Sequence, residues 1–381
     1  MHSDETEDRN TLTATLFILS WLYGAAVRVR ALGYRSGRFK TKRLPCNVIS
    51  VGNITVGGTG KTPMTILLAE MLHRRGFSPV VISRGYKGGS ERVGGVVSDG
   101  STFYMTAAET GDEPWMMAER LQQIGVPVVV GQNRFDVGML AFRSFQPDVI
   151  LLDDAYQHLK LERDLDLVLL DSARPFGNYH LLPRGILREP VSALYRGDIF
   201  ILTRTGKDRQ APVDRLRSVI GNRPMYTASH KPFLSRWVAA DSHIRQPSTD
   251  ANTATEIRML RGRRVFGFSG IAVNNDFRLT LKSIGCDLAG FTGFADHYPY
   301  SRDDVTALLR SVGRSGADIV CTTEKDYVRL AHRLPWPVDL AVVGIDMSMG
   351  SRQVAFEKDI VRHLINPNSR SSEQRASRNV R

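Results

Sequence analysis

Val51-Gly52-Asn53-Ile54-Thr55-Val56-Gly57-Gly58-Thr59-Gly60-Lys61-Thr62-Pro63 is a glycine-rich stretch between an apolar run and a helix-forming one. Val48, Ile49 and Val51 suit a buried strand, and Met64 to Leu72 suit a helix. Strand, glycine turn, Gly-Lys-Thr and helix together make a phosphate-binding loop in its expected setting. Glycines let successive backbone N–H groups turn toward an anion. The helix N-terminus adds partial positive charge. Thr55, Val56, Gly57, Gly58, Thr59, Gly60, Lys61 and Thr62 are therefore the expected nucleotide-binding residues. Lys61 is expected to reach the β- and γ-phosphates and Thr62 to ligate Mg²⁺. Thr55 stands where the usual pattern has glycine.

The chain has 381 residues, enough for two domains. With 42% hydrophobic and 24% charged residues it has the composition of a soluble globular protein. A net charge of +12 favours acidic partners: nucleotides, phosphorylated substrates, nucleic acid or an anionic membrane. Cys46, Cys286 and Cys321 lie far apart. They suggest neither a metal-ligand pair nor a disulfide framework, which fits a reducing cytosol.

The run from Leu12 to Val27 is apolar, slightly short for a membrane span, and lacks a signal peptide's basic start. Arg28, Arg30, Arg35, Arg38, Lys40, Lys42 and Arg43 follow it. An apolar helix with Trp21 and Tyr23 ahead of a basic cluster suits the headgroup region of an anionic leaflet. Residues 79–83 read as a second strand running into Arg84-Gly85-Tyr86, at the sheet edge where α/β proteins bind ligands. Asp112 and Glu113 open a helix, where carboxylates cap or, in a phosphate-transfer protein, serve as base and metal ligand. Val149 to Asp154 is an apolar strand ending in two acids, the Walker-B arrangement that holds Mg²⁺. Gln157 and His158 follow within a short turn and can face the same site. Residues 167–171 and 199–203 read as two more parallel strands. The long Gly/Pro-structured loop between them brings Asn178, Arg188 and Glu189 near that edge.

In combination these motifs resemble the tetraacyldisaccharide 4'-kinase family, the lipid A 4'-kinases of Gram-negative-type bacteria. The resemblance runs from about Leu19 to about Ile365. It rests on Ser20-Trp21-Leu22-Tyr23-Gly24, Ser50 to Pro63, Ser83-Arg84-Gly85-Tyr86 and Gly111-Asp112-Glu113-Pro114. Asp153-Asp154-Ala155-Tyr156-Gln157-His158, Leu187-Arg188-Glu189-Pro190, Asp296-His297-Tyr298-Pro299-Tyr300 and Thr323-Glu324-Lys325-Asp326 complete it. Thr55 is itself what the family shows. Ala155 and Tyr156 depart from its usual Gly and Phe, and the segments 182–186 and 271–277 depart in their loops.

The resemblance implies an α/β fold. A P-loop NTPase core with a parallel sheet (residues 44–235) would be joined by a hinge to a smaller α/β domain (236–365). A membrane-associating helix and basic segment (1–43) would precede them and a disordered basic tail (366–381) would follow. It implies transfer of the γ-phosphate of ATP to the 4'-hydroxyl of a tetraacyldisaccharide 1-phosphate, forming lipid IV-A. Asp112 would be the general base, paired with His297, with Lys61 and Asp154 beside them. Thr62, Asp153, Glu113 and Gln157 would hold Mg²⁺; Tyr86, Asn178, Arg188, Glu189 and His158 would meet the substrate. The expected setting is the cytoplasmic face of the bacterial inner membrane, as a monomer with no nucleic-acid partner. The competing readings are a membrane-associated P-loop GTPase or nucleotide switch, or a metallochaperone. The guanine motif Asn/Thr-Lys-x-Asp is absent after a late strand, and Thr203 to Asp208 has the wrong spacing. Cys/His pairs for metal delivery are also absent.

Overall fold

The computed structural model describes residues 2–204, 213–240, 256–330 and 336–365. It opens with one long helix, α1 (His2–Arg35). The first sheet region follows as β1 (Asn47–Gly52), α2 (Lys61–Arg74), β2 (Pro79–Ser83), β3 (Gly95–Ser98), α3 (Ala107–Thr110) and α4 (Asp112–Gln122). It continues with β4 (Val128–Val130), α5 (Arg134–Phe145), β5 (Val149–Asp153), β6 (Leu165–Asp171), β7 (Ile199–Thr203), α6 (Val213–Ile220) and β8 (Met225–Thr227). The second region holds β9 (Ser229–Val238), β10 (Arg264–Ser269), α7 (Asn274–Ile284), β11 (Asp287–Gly293) and α8 (Arg302–Ser315). It ends with β12 (Ile319–Thr323), α9 (Glu324–Leu330), β13 (Asp339–Ser348) and α10 (Gln353–Ile365).

The first sheet has the order β3-β4-β2-β5-β1-β6-β7-β8. Every neighbouring pair is parallel except β3–β4. Val149 to Leu152 are fully buried, as strands covered on both faces require. β1 lies between β5 and β6, so the phosphate loop and Asp153 emerge side by side at the C-terminal edge. Ligands bind there in open parallel sheets.

The second sheet has the order β11-β10-β12-β13-β9, with β9 antiparallel to β13. Two features correct the expected partition. The boundary after residue 235 falls inside β9, whose pairing to β13 starts at Ser229. The last helix, α10, returns to the first domain: Phe356, Ile360 and Leu364 join the core built on α2 and the first sheet. Tyr226 donates to Asp359 at 2.6 Å and Arg75 pairs with Glu357 at 2.7 Å. A helix with one apolar stripe settles where that stripe is covered. The linker-like stretch from 241 and the tail from 366 lie outside the described residues, apart from the start of helical structure at Glu256.

Two opposite faces distinguish α1. Ser20, Tyr23, Gly24 and Arg30 recur at helical spacing and meet the protein. Ser20 donates to the Leu181 carbonyl at 2.9 Å, Tyr23 to the Arg188 carbonyl at 2.8 Å and Arg30 to the Gln157 carbonyl at 3.1 Å. A Cβ on Gly24 would lie 2.7 Å from Leu181 Cδ1, so the helix approaches the 181–188 loop closely. Phe17, Ile18, Trp21, Leu22, Val29 and Leu32 are exposed. Ala14–Arg35 is long and apolar enough to cross a membrane by length and composition.

Candidate active site

The phosphate loop is shaped from both domains. Gly57 and Gly60 take φ of 105° and 86°, open to glycine at little cost. Gly60 also begins α2, and a Cβ there would meet Met347 Cε at 2.6 Å and His230 Nε2 at 2.7 Å, both on second-sheet strands. Asn53 donates to Thr59 Oγ1 at 2.9 Å and tightens the turn from beneath. Thr55 is buried beside Asn53 and does not line the cavity, so it braces the loop rather than facing a ligand.

A cavity of about 1660 Å³ lies between the two sheets, lined by the phosphate loop from Val56 to Thr62. Asp153, Asp154, Gln157, His158, Arg188, Tyr86, Glu113 and His297 also line it. Asp153 is buried at the end of β5 and accepts from Thr65 at 3.1 Å and Thr62 at 3.5 Å. Asp154 turns into the left-handed region (φ 47°) and stands between two cations. Arg188 donates to its two oxygens at 2.8 and 2.9 Å, and Lys61 Nζ lies 3.7 Å away. Gln157 donates to the Asn53 carbonyl at 2.8 Å. Burial, with the nearby cations of Arg134, Arg163, Arg30 and Lys160, pushes His158 down to about 4, so it is neutral at pH 7.

Across the cavity, α4 and the second domain meet. His297 Nδ1 lies 3.0 Å from Asp112 Oδ2, and Arg329 Nε lies 2.8 Å from the same oxygen. Among the described residues, Oδ1 of Asp112 has no such partner. The Asp112 and His297 side chains are similarly accessible, 15% and 17% exposed, and His297 lines the cavity and meets the Tyr86 ring edge-on at 5.7 Å. Glu113 is ion-paired with Lys325, whose charge holds its carboxyl well below the usual range.

Two expected substrate residues are placed elsewhere. Asn178 pins its own loop, donating to the Arg184 carbonyl and accepting from the His180 amide at 3.1 and 3.2 Å. Glu189 is buried and accepts from Arg196 at 2.8 and 2.9 Å. Neither lines the cavity.

The family model described as Tetraacyldisaccharide-1-P 4'-kinase matches residues 12–365. The chain is 40% identical over 359 residues to the tetraacyldisaccharide 4'-kinase of Desulfatibacillum aliphaticivorans, covering 93% of each chain. It is 43% identical over 318 residues to that of Geobacter metallireducens, covering 83% of this chain and 88% of the relative. The chain belongs to the tetraacyldisaccharide 4'-kinase family. The crystal structure of LpxK from Aquifex aeolicus in complex with ATP superposes with a TM-score of 0.70 at 29% identity. That match covers 93% of this chain and 99% of the other. The P-loop α/β core is thus the fold of an ATP-dependent kinase family.

Magnesium, the usual partner of such kinases, suits the donors present. Asp153 is pushed up by burial and by the neighbouring carboxylates of Glu113 and Asp154, and its contacts at 3.1 and 3.5 Å are hydroxyls. A buried carboxylate among carboxylates calls for a cation. Mg²⁺ takes few protein oxygens and keeps several waters, and the Thr62 hydroxyl and Asp153 carboxylate, 3.5 Å apart, are oxygen donors of that kind. Glu113 is engaged by Lys325 in this arrangement.

Four positively charged or imidazole groups around the cavity escape motif reading. Arg134 is buried and donates toward the Gly131 and Asp153 carbonyls. Arg204, His230 and Arg329 sit on segments without a motif of their own; only Arg329 has a local hint, on the helix that begins in Thr323-Glu324-Lys325-Asp326. His230 is mostly buried against Gly60, and burial with the Arg204 charge pushes it down to about 4. A histidine kept neutral in the fold contributes stability that is complete above its unfolded pKa near 6.5. That contribution is lost as pH falls from about 6.5 to about 4. The stability difference between wild type and His230→Gln is therefore expected to shift by about 1–3 kcal/mol over that window. Urea titrations at several pH values read it, and a pH-independent difference would place His230 in solvent.

Proposed function

We propose that this kinase transfers the γ-phosphate of ATP to the 4'-hydroxyl of a tetraacyldisaccharide 1-phosphate, yielding lipid IV-A on the lipid A pathway. One observation carries the reading: a carboxylate with one free oxygen, Asp112 Oδ1, held by His297 and Arg329 of the second domain, opposite the phosphate loop. Phosphoryl transfer needs positioning and charge neutralisation more than covalent participation by the protein. Lys61 and the loop amides bind the nucleotide's phosphates. Asp112 Oδ1 accepts the proton of the 4'-hydroxyl as its oxygen bonds to the γ-phosphorus, and the bond to ADP breaks. The Nδ1–H of His297 and the Arg329 guanidinium keep the other oxygen occupied and fix the carboxylate's orientation. Thr62 and Asp153 would hold Mg²⁺, which would supply charge neutralisation during the transfer. Because the base is completed only when the two domains meet, water is kept from the γ-phosphate until the acceptor is in place. Tyr86, His158 and Arg188 line the acceptor side.

The acceptor is a membrane lipid, and α1 gives it a route. The inner face of α1 grips the 181–188 loop, whose Arg188 contacts Asp154, while its outer face exposes Phe17, Trp21 and Leu22. The basic residues from Arg28 to Arg43 favour an anionic leaflet. The anchor and the acceptor loop thus move as one body, at the cytoplasmic surface of the inner membrane. Replacing Phe17, Trp21 and Leu22 together with serine is expected to lower partitioning into anionic vesicles by at least about tenfold. Vesicle sedimentation reads this, and unchanged partitioning would move the membrane contact elsewhere.

The reaction is tested with γ-labelled Mg-ATP and tetraacyldisaccharide 1-phosphate in detergent micelles. Label is expected in the lipid. An unlabelled lipid alongside nucleotide hydrolysis would replace the kinase reading with a nucleotide switch.

A further inference from the structure

Besides the packing of Gly60 against Met347 and His230, a side chain outside any motif, Arg204, links the phosphate loop to the second domain. Arg204 follows β7 with φ 59°, a region non-glycine residues occupy only when the surroundings hold them there. Ser172 Oγ donates to its carbonyl at 3.2 Å and fixes that turn. Its guanidinium has three partners. Nη1 meets Asp171 at the end of β6 at 3.2 Å, and Nη2 donates to the Gly58 carbonyl of the phosphate loop at 2.8 Å. Nη2 also pairs with Asp276, in the first turn of α7 on the second domain. Gly58, Arg204 and Asp276 line the same cavity.

The peptide group is planar, so holding the Gly58 carbonyl fixes the direction of the Thr59 N–H, which in this arrangement donates to the Gly57 carbonyl at 3.2 Å and is released to a phosphate when nucleotide binds. Phosphate loops bind through such N–H groups. The planar guanidinium can serve several acceptors at fixed angles, which an ammonium cannot. Asp171 and Gly58 belong to the first domain, and only Asp276 travels with the second. When the domains separate, the arginine keeps two anchors and loses the third.

We propose that Arg204 is a positioning residue that couples placement of the second domain to the shape of the phosphate loop, so that nucleotide affinity depends on Asp276. By reciprocity, bound nucleotide favours the closed arrangement. The inference rests on the nucleotide reading of the loop and not on the identity of the lipid acceptor.

The test is calorimetric binding of Mg-ATP to the full chain without lipid, for wild type, Arg204→Ala, Asp276→Ala and the double variant. Each single variant is expected to weaken binding by about tenfold, as for loss of a charged hydrogen bond. Asp276→Ala is expected to add nothing in the Arg204→Ala background. In steady state, the KM for ATP rises and that for the acceptor stays. Unchanged dissociation constants in the single variants overturn the proposal. So do fully additive losses, which would assign Asp276 a direct contact with the nucleotide. Arg204→Lys keeps the charge but not the fork, and is expected to fall between wild type and Arg204→Ala; wild-type affinity there overturns the bridge. Where Arg204→Ala does not fold, the same cycle is run on Arg204→Lys. Because no lipid is present, a wrong acceptor assignment leaves these outcomes unchanged.

Discussion

Asp112→Asn is expected to lower kcat by about 10²–10⁴-fold, the usual yield of a positioned general base, with little change in the KM for ATP. Asparagine has nearly the same shape, its carbonyl oxygen can still accept from His297, and the Arg329 guanidinium stays anchored by the Gly270 and Tyr298 carbonyls. The other atom, where Oδ1 stood, becomes an NH₂ that donates and cannot take a proton. The loss therefore isolates proton transfer from assembly of the site. His297→Ala is expected to cost less, because Arg329 remains 2.8 Å from the same carboxylate oxygen. Single-turnover lipid phosphorylation is the measurement, since it separates chemistry from product release. An Asp112→Asn variant within tenfold of wild type would mean that the acceptor hydroxyl loses its proton elsewhere.

The phosphate loop and its neighbours were legible because their signals are local. β1, the glycine turn and α2 are adjacent in sequence, and the fully buried β5 reads as a continuous apolar run ending in acids. The pairing of Asp112 with His297 spans 185 residues, and no periodicity encodes it. It was reached through the family's combination of motifs. What stayed hidden depends on partners that no motif specifies, near or far in the chain. Glu189 sits in a motif, yet Arg196 neutralises it inside the core. Thr55 occupies a loop position but turns its hydroxyl toward Asn53. β9 shows mixed burial with Pro232 inside it, and only β13 makes it a strand. The short edge strand β3 and the half-covered β11, with Gly290 and Gly293, likewise lack a strong pattern. The helical period of α10 was visible, but not that its stripe would settle on the first domain.

Lys61→Ala is expected to lower kcat/KM by about 10²–10³-fold or more, the cost of removing one preorganised charge aimed at a developing one. Lys61 extends from the first residue of α2, its side chain 12% exposed and its ammonium 3.7 Å from Asp154. There it faces the cavity in an enclosed setting, where a charge is worth more than in water. Arg188 still pairs with Asp154 in the variant, so the acceptor side keeps its main ion pair and the fold is expected to persist. Lys61→Arg is not expected to restore the rate. A planar fork replaces a compact point charge, and Asp154 already holds one guanidinium. The partition of the loss decides the role. A fall in kcat at saturating ATP and lipid shows that the ammonium acts on charge that appears only as the phosphoryl group moves. A rise in the KM for ATP with kcat intact would mean uniform binding of ground and transition states. In that case the task of stabilising the transferring group passes to the cations that remain around the cavity, with Arg134, buried beside Asp153, the first to replace.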